Sequence, residues 1–328
     1  MRMVITVIMQ IIVLSLTSCG SHRNETHHID HSQTYSLHAK EMRKLSNRLS
    51  IINRATKHSF PVFYHDKVIV LMYHNVEIQS KHANMITLEQ LNEQLSAIKM
   101  NGFHMITMDQ YLDFIMLDKK VPDNAVLLTF DDGYGTFYKN VYPLLRKLGV
   151  TATNFIVVST IDDQKHKGRT KLTWQQMREM KKAGMSFYNH TYNSHAYMTI
   201  DFNGIRRRIP VLSHPIFLKS VNRLETTREY ERRVHYDLAI AEKRLKTELK
   251  NSRSALAFPY GAYNDTILQI VHKLGIETTF TIRPGINGHE QHNGFRINAG
   301  NQNLKTSDLI EMLKTSSSWS PPTWTKNP

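Results

Sequence analysis

The chain has a single cysteine in 328 residues. That count excludes a zinc finger and any intramolecular disulfide. Residues 21–66 contain no glycine and one proline, Pro61. The apolar run at residues 4–16 is too short to cross a bilayer, which takes roughly 20 residues. Acidic residues are in deficit: 28 Asp and Glu against 42 Lys and Arg leave a formal charge of +14. The remaining composition is ordinary, 41% hydrophobic and 21% charged, so neither disorder nor a collagen-like repeat describes the chain. The basic excess points to an anionic neighbour: nucleic acid, membrane head groups or an acidic wall polymer.

The lone cysteine is informative by position. Met1-Arg2-Met3 is a charged start, and the apolar run after it fits a signal-peptide core. Leu16-Thr17-Ser18-Cys19-Gly20 then sets small residues before the cysteine. This resembles the lipobox of bacterial lipoproteins, which implies a signal peptide at 1–18 and a lipid anchor at Cys19, on the extracellular face of a bacterial cell membrane. A plain secretory signal with an incidental cysteine is the alternative. Export sets nucleic acid aside as a partner and leaves an anionic membrane or wall surface.

Residues 19–66 read as a polar stalk carrying His22, His27, His28, His31, His38, His58 and His65. Clustered histidine suits metal binding, but a solvated stalk is the simpler reading. Within it Met42, Leu45, Leu49 and Ile52 recur at helical spacing among Lys40, Arg43, Lys44 and Arg48. Such a basic amphipathic helix suits a membrane surface and suits packing on a domain equally well.

From residue 67 the pattern alternates between strands and helices. Apolar runs at 68–72, 126–130, 152–158, 185–188, 256–258, 278–282 and 295–297 predict strands. Thr87 with Gln90, Thr173 with Gln176, and Thr226 with Glu229 predict capped helix starts. Further helices are expected at 138–148, 266–274 and 308–314. A Lys followed by Gly and an apolar residue recurs near Gly102, Gly149, Gly184 and Gly275, as at a helix end that turns into a strand. Repeated strand–helix units predict an α/β fold with a parallel sheet, either doubly wound or closed as a barrel. Chemistry in both gathers after the strands.

Four motifs sit there. Thr129-Phe130-Asp131-Asp132-Gly133 sets two carboxylates side by side, which is costly unless a cation or a shared proton relieves them. His190-Thr191-Tyr192-Asn193-Ser194-His195 places two imidazoles in one loop. Two His and one Asp make a facial metal set with open positions. Ala257-Phe258-Pro259-Tyr260-Gly261 is a turn able to aim a backbone N–H at an oxyanion. Leu71-Met72-Tyr73-His74-Asn75 ends the first strand in a histidine suited to acid chemistry. Taken singly, each is also ordinary turn or loop chemistry.

In combination and order the motifs resemble the polysaccharide deacetylases of the NodB-homology type, carbohydrate esterase family 4. The resemblance covers residues 68–314. The five-residue His spacing and the early Tyr73-His74 resemble the branch that deacetylates poly-β-1,6-N-acetylglucosamine, a biofilm exopolysaccharide. It implies a distorted (β/α) barrel in a single catalytic domain at 67–315, followed by a tail at 316–328. It implies that Asp132, His190 and His195 hold a divalent metal, zinc in most of the family. Asp131 would be the general base toward water. Tyr260 would supply an oxyanion N–H, and His74 the acid toward the leaving amine. The substrate would be an N-acetylglucosamine polysaccharide.

The sequence also departs from that pattern. The wider family has an arginine before the Pro-Tyr pair to orient the catalytic Asp. Phe258 stands there, and Arg296 is the candidate replacement. Residues 196–226 form an insertion that includes Arg206, Arg207 and Arg208, and a loop of that length at a catalytic rim is usually functional. Trp319 and Trp324 in the tail suit sugar contact or packing. Other readings are a peptidoglycan or chito-oligosaccharide deacetylase, an O-acetyl esterase, and a catalytically idle sugar-binding lipoprotein. Oligomeric state is not legible.

Overall fold

A computed structural model describes residues 60–79, 85–163, 168–202 and 205–316. The signal segment, Cys19, the stalk to residue 59 with its helical pattern, Trp319 and Trp324 lie outside the described residues. The strands used below are β1 (Val68–Tyr73), β2 (His104–Ile106), β3 (Ala125–Asp131), β4 (Thr153–Ile156), β5 (Ser186–Asn189), β6 (Tyr197–Phe202), β7 (Ile205–Pro210), β8 (Ala255–Ala257), β9 (Thr278–Phe280), β10 (Asn293–Gly294) and β11 (Ile297–Asn298). Seven of them, β1, β3, β4, β5, β8, β9 and β11, follow the expected runs. The main sheet runs in the order β10-β9-β8-β5-β4-β3-β1-β11, with β2 also on β3. Every pair in it is parallel.

The two ends of that order, β10 and β11, are separated in sequence only by Phe295 and Arg296. A stretch that short spans about 10 Å at most. The sheet is therefore curled until its edges nearly meet, which is the distorted (β/α) barrel that the resemblance implies. Arg296 stands in the seam and is fully buried.

Alternation along the strands separates two apolar clusters. Val68, Val70, Leu127, Phe155 and Phe280 pack with Tyr111 and Phe114 of helix α1 (Met108–Leu117). Ile69, Leu71, Leu128 and Phe130 face the other way and pack under further helices. Each fully buried side chain of this kind contributes about 1.5–3 kcal/mol. The Thr87, Thr173 and Thr226 capping boxes all form. A fourth, Thr107 with Gln110, opens α1, a helix absent from the sequence reading. Gly102, Gly149, Gly184 and Gly275 all take positive φ, as a chain leaving a helix for a strand requires.

Two details differ from expectation. Residues 60–66, grouped with the stalk by composition, lie against the barrel. Tyr64 is buried and donates to the Ala125 carbonyl at 3.0 Å, and Asn124 Oδ1 accepts from the Phe63 N–H at 2.8 Å. The insertion after His195 contains an antiparallel hairpin, β6 with β7, then a short pair at Phe217–Leu218 and Arg223–Leu224. It leads into the long helix α2 (Thr227–Leu249). Among the described residues no helix is long and apolar enough to cross a membrane.

Candidate active site

The four motifs converge at the C-terminal ends of β1, β3, β5 and β8. Strand β3 ends at Asp131, and Asp132 then turns with φ 75°. A left-handed residue directly after an extended one sends the two carboxylates in different directions. Gly133 N–H donates to Asn154 Oδ1 at 3.2 Å, and Lys171 Nζ donates to the Asp132 carbonyl at 2.8 Å, so the turn is held from both sides.

Asp131 is bound by the seam arginine. Arg296 Nη1 and Nη2 donate to its two carboxylate oxygens at 2.8 and 2.9 Å, and Nε donates to the Thr281 carbonyl at 2.8 Å. Burial pushes the Asp131 carboxyl up. The charge of Arg296, with those of His190 and His74, outweighs it and holds the group below the ordinary carboxylate range. The arginine that holds Asp131 thus comes from the far end of the domain, 165 positions along the chain. His74 Nε2 stands 4.0 Å from Asp131 Oδ2 and is partly open to solvent.

Asp132 Oδ1 lies 3.5 Å from His190 Nε2 and 3.1 Å from His195 Nε2. Both rings are fixed through their other nitrogen. His190 Nδ1 is 2.7 Å from the Ala257 carbonyl, which can only accept, so that nitrogen carries the proton and Nε2 presents a lone pair. His195 Nδ1 is 3.1 Å from the Tyr260 hydroxyl, which lets Nε2 do the same. The buried Asp132 Oδ1 receives no well-formed hydrogen bond. Three potential ligand atoms therefore lie within 4.8 Å of one another, with Asp132 Oδ1 unsatisfied among them. A divalent cation fits that donor set. Burial pushes the Asp132 carboxyl up; with a proton on the facing Nε2 atoms in place of a cation, hydrogen bonds and charge from His190 and His195 pull it well below its usual range.

Tyr260 carries a left-handed backbone, φ 58° and ψ 12°, in the Pro259–Gly261 turn. The turn's own bonds run from Gly261 N–H to Phe258 and from Ala262 N–H to Pro259, so neither uses the Tyr260 N–H. Its ring stacks 4.0 Å from Tyr197 of the insertion hairpin, and the Arg208 guanidinium lies 4.7 Å from the Tyr197 ring. Burial, with Tyr197 and Asp132 nearby, pushes the Tyr260 hydroxyl up to about 12, so it stays protonated.

Two supporting residues escaped the sequence reading. Asp237, on α2, accepts from the Tyr192 and Asn193 N–H groups at 3.0 and 2.8 Å and so holds the loop between the two histidines. Burial pushes its carboxyl up in spite of those bonds. Its signal was an acid inside the apolar stripe of Val234, Leu238 and Ala241. Lys171 is the other, and nothing local in the sequence marks it.

With this geometry in place, comparison with known proteins adds the following. Residues 118–279 match the family described as polysaccharide deacetylase. A protein of Escherichia coli K12 named poly-beta-1,6-N-acetyl-D-glucosamine N-deacetylase is 29% identical over 235 residues, which cover 68% of this chain and 35% of that protein. The chain therefore spans about a third of the length of that relative. A Staphylococcus aureus protein of the same name is 25% identical over 198 residues, covering 60% of this chain and 61% of that one. The solved structure of a de-N-acetylase from Aggregatibacter actinomycetemcomitans matches with a TM-score of 0.67 at 24% identity, over 75% of this chain and 99% of that chain, and supports the fold.

Proposed function

We propose that this chain, which carries a polysaccharide deacetylase domain, is a metal-dependent hydrolase that removes N-acetyl groups from an N-acetylglucosamine polymer, poly-β-1,6-N-acetylglucosamine in the first instance. The observation that carries the reading is the convergence of Asp132, His190 and His195 beside the Asp131–Arg296 pair at the open end of the barrel. The names of the E. coli and S. aureus relatives support the choice of polymer.

In this reading Asp132, His190 and His195 hold the divalent metal, and the resemblance implies zinc. When bound there it supplies Lewis-acid polarisation of water and of the amide carbonyl. Asp131 takes a proton from water. Arg296 keeps it ionised and fixes both of its oxygens, so the carboxylate is ready before substrate arrives. The Tyr260 N–H points its dipole at the carbonyl oxygen as negative charge develops there. His74, across from Asp131 and open to solvent, gives a proton to the departing nitrogen. Water and amide become acetate and a free amine. Each residue-borne step of this kind contributes about 10²-fold or more in rate.

Secretion and anchoring through Cys19 at the outer face of a bacterial membrane complete the reading, and rest on the sequence motif. The test is acetate release from β-1,6-linked N-acetylglucosamine oligomers by the full chain, metal-depleted and with zinc restored, beside Asp131→Asn. Zinc-restored release that the variant loses is expected. Release from chitin or peptidoglycan fragments alone would move the substrate. Release that is indifferent both to metal and to Asp131 would end the proposal.

A further inference from the structure

A cavity of about 920 Å³ opens beside the site, along the helix that follows the Asp-Asp turn. Two residues of its wall adjoin the site. Asn75, on its wall, follows His74 directly. Lys171, also on its wall, holds the Asp132 carbonyl. Tyr138 and Tyr142, one helical turn apart, stack at 5.9 Å and 18° and give it an aromatic flank. Rings of this kind suit the C–H faces of a pyranose, and a polymer held for reaction at one unit needs a place for the units beside it.

The charge on this wall is one-sided. Lys139, Arg169 and Lys171 line it, with Glu77 the one acid, and Glu77 accepts from the Asn75 amide at 2.8 Å. Among the described residues no carboxylate forms an ion pair with Lys139, Arg169 or Lys171. Hydrolysis converts a neutral acetamide into an ammonium group. A neighbouring unit that has already reacted therefore brings a positive charge to a positive wall.

We propose that this cavity is the subsite for glycan units adjacent to the one being hydrolysed, and that its lysine and arginine lining admits N-acetylated units and turns away glucosaminium units. The enzyme then disfavours sites next to its own products and spaces the free amines along the polymer. The inference rests on the deacetylase reading and adds the local acetylation state as what is recognised. Like charges a few ångströms apart in a solvated groove repel by an amount worth several-fold in binding, and salt screens that repulsion over about 8 Å at physiological strength.

The test uses the zinc-loaded full chain and β-1,6-linked trimers, fully acetylated or with one glucosamine unit on either side of the central residue. Acetate release from the central unit gives kcat/KM for each. One of the two amine-bearing trimers, the one that fills the cavity, is expected to react about fivefold more slowly at low salt, and the deficit should shrink in high salt. Lys139→Glu is expected to abolish that deficit, read as the ratio of kcat/KM for the amine-bearing trimer to kcat/KM for the fully acetylated one in the same variant. Equal rates for all three trimers in the wild type would overturn the proposal. So would a deficit that neither salt nor Lys139→Glu changes. No acetate from the fully acetylated trimer would overturn the deacetylase reading, and this inference with it.

Discussion

Replacing Arg296 with methionine tests the link between barrel closure and catalysis. The guanidinium is fully buried, and its partner Asp131 is 2% exposed. Methionine matches much of the volume and removes the charge together with all three side-chain bonds to Asp131 and Thr281. Asp131 would be left in an apolar seam without a counter-charge. Breaking a buried pair from one side costs about 3–5 kcal/mol, mostly the penalty of the stranded charge. The double variant Arg296→Met with Asp131→Asn strands no charge and should recover about half of that loss or more. Urea unfolding of the wild type, both single variants and the double variant closes the cycle. Acetate release should fall at least about 10²-fold in Arg296→Met, because the base loses its fixed orientation. A single-variant loss below about 1 kcal/mol, or a double variant no more stable than Arg296→Met, would show that the pair does not hold the seam.

Three further outcomes are expected. Zinc should raise the Tm of the wild type, and Asp132→Asn should weaken zinc binding by orders of magnitude and abolish that rise, measured by chelator competition and thermal melts. Asp237→Asn turns an amide N–H toward one of two loop N–H donors. It should cost about 1–3 kcal/mol in stability and about 10–100-fold in zinc affinity, since the His190–His195 loop loses its anchor. His289 tests pH dependence away from the site. Burial lowers its pKa, but Asp66, the Phe114 carbonyl and Asp118 outweigh burial and raise it. A raised folded-state pKa means that its contribution is fully present below the unfolded value and fades as pH rises through the folded one. The stability gap between wild type and His289→Gln should therefore be wider near pH 6 than near pH 8.5, as read by denaturant melts at each pH; a gap that widens with pH would refute the sign.

Local chemistry made most of the barrel legible. Thr87, Thr173 and Thr226 each announce a helix because the side chain that satisfies the first turn lies within four residues of it. The glycines after Lys147 and Lys182 announce its end for the same reason. Helix α1 carries the same Thr-x-x-Gln signal at Thr107. The hairpin β6–β7 was not legible, since Arg206, Arg207 and Arg208 in succession break the alternation that marks a strand. The site divides along the same line. Asp132, His190 and His195 stand in recognisable local motifs. Arg296, 165 positions from Asp131, is legible only through the resemblance, as the candidate for the arginine that Phe258 displaces. Asp237 acts across 45 positions, where the sequence holds only a charge inside an apolar stripe.

Three of the eight non-glycine residues with positive φ among the described residues fall at the site. Asp132, Thr191 and Tyr260 all have φ above 55° without being glycine, and each follows closely after a strand end at the site. A left-handed L-residue costs roughly 1–2 kcal/mol. Glycine would relieve that cost at 132 and 260, but it would remove the carboxylate facing two imidazoles and the hydroxyl that holds one of them. The neighbours keep the strain in place. Lys171 and Asn154 hold the turn at 132, Asn189 Oδ1 accepts from the Thr191 N–H at 2.7 Å, and Tyr197 stacks on Tyr260. A barrel closed by Arg296 supplies the rigidity that lets three such residues coexist within one small rim, so closure of the sheet and orientation of the Asp131 carboxylate depend on the same side chain.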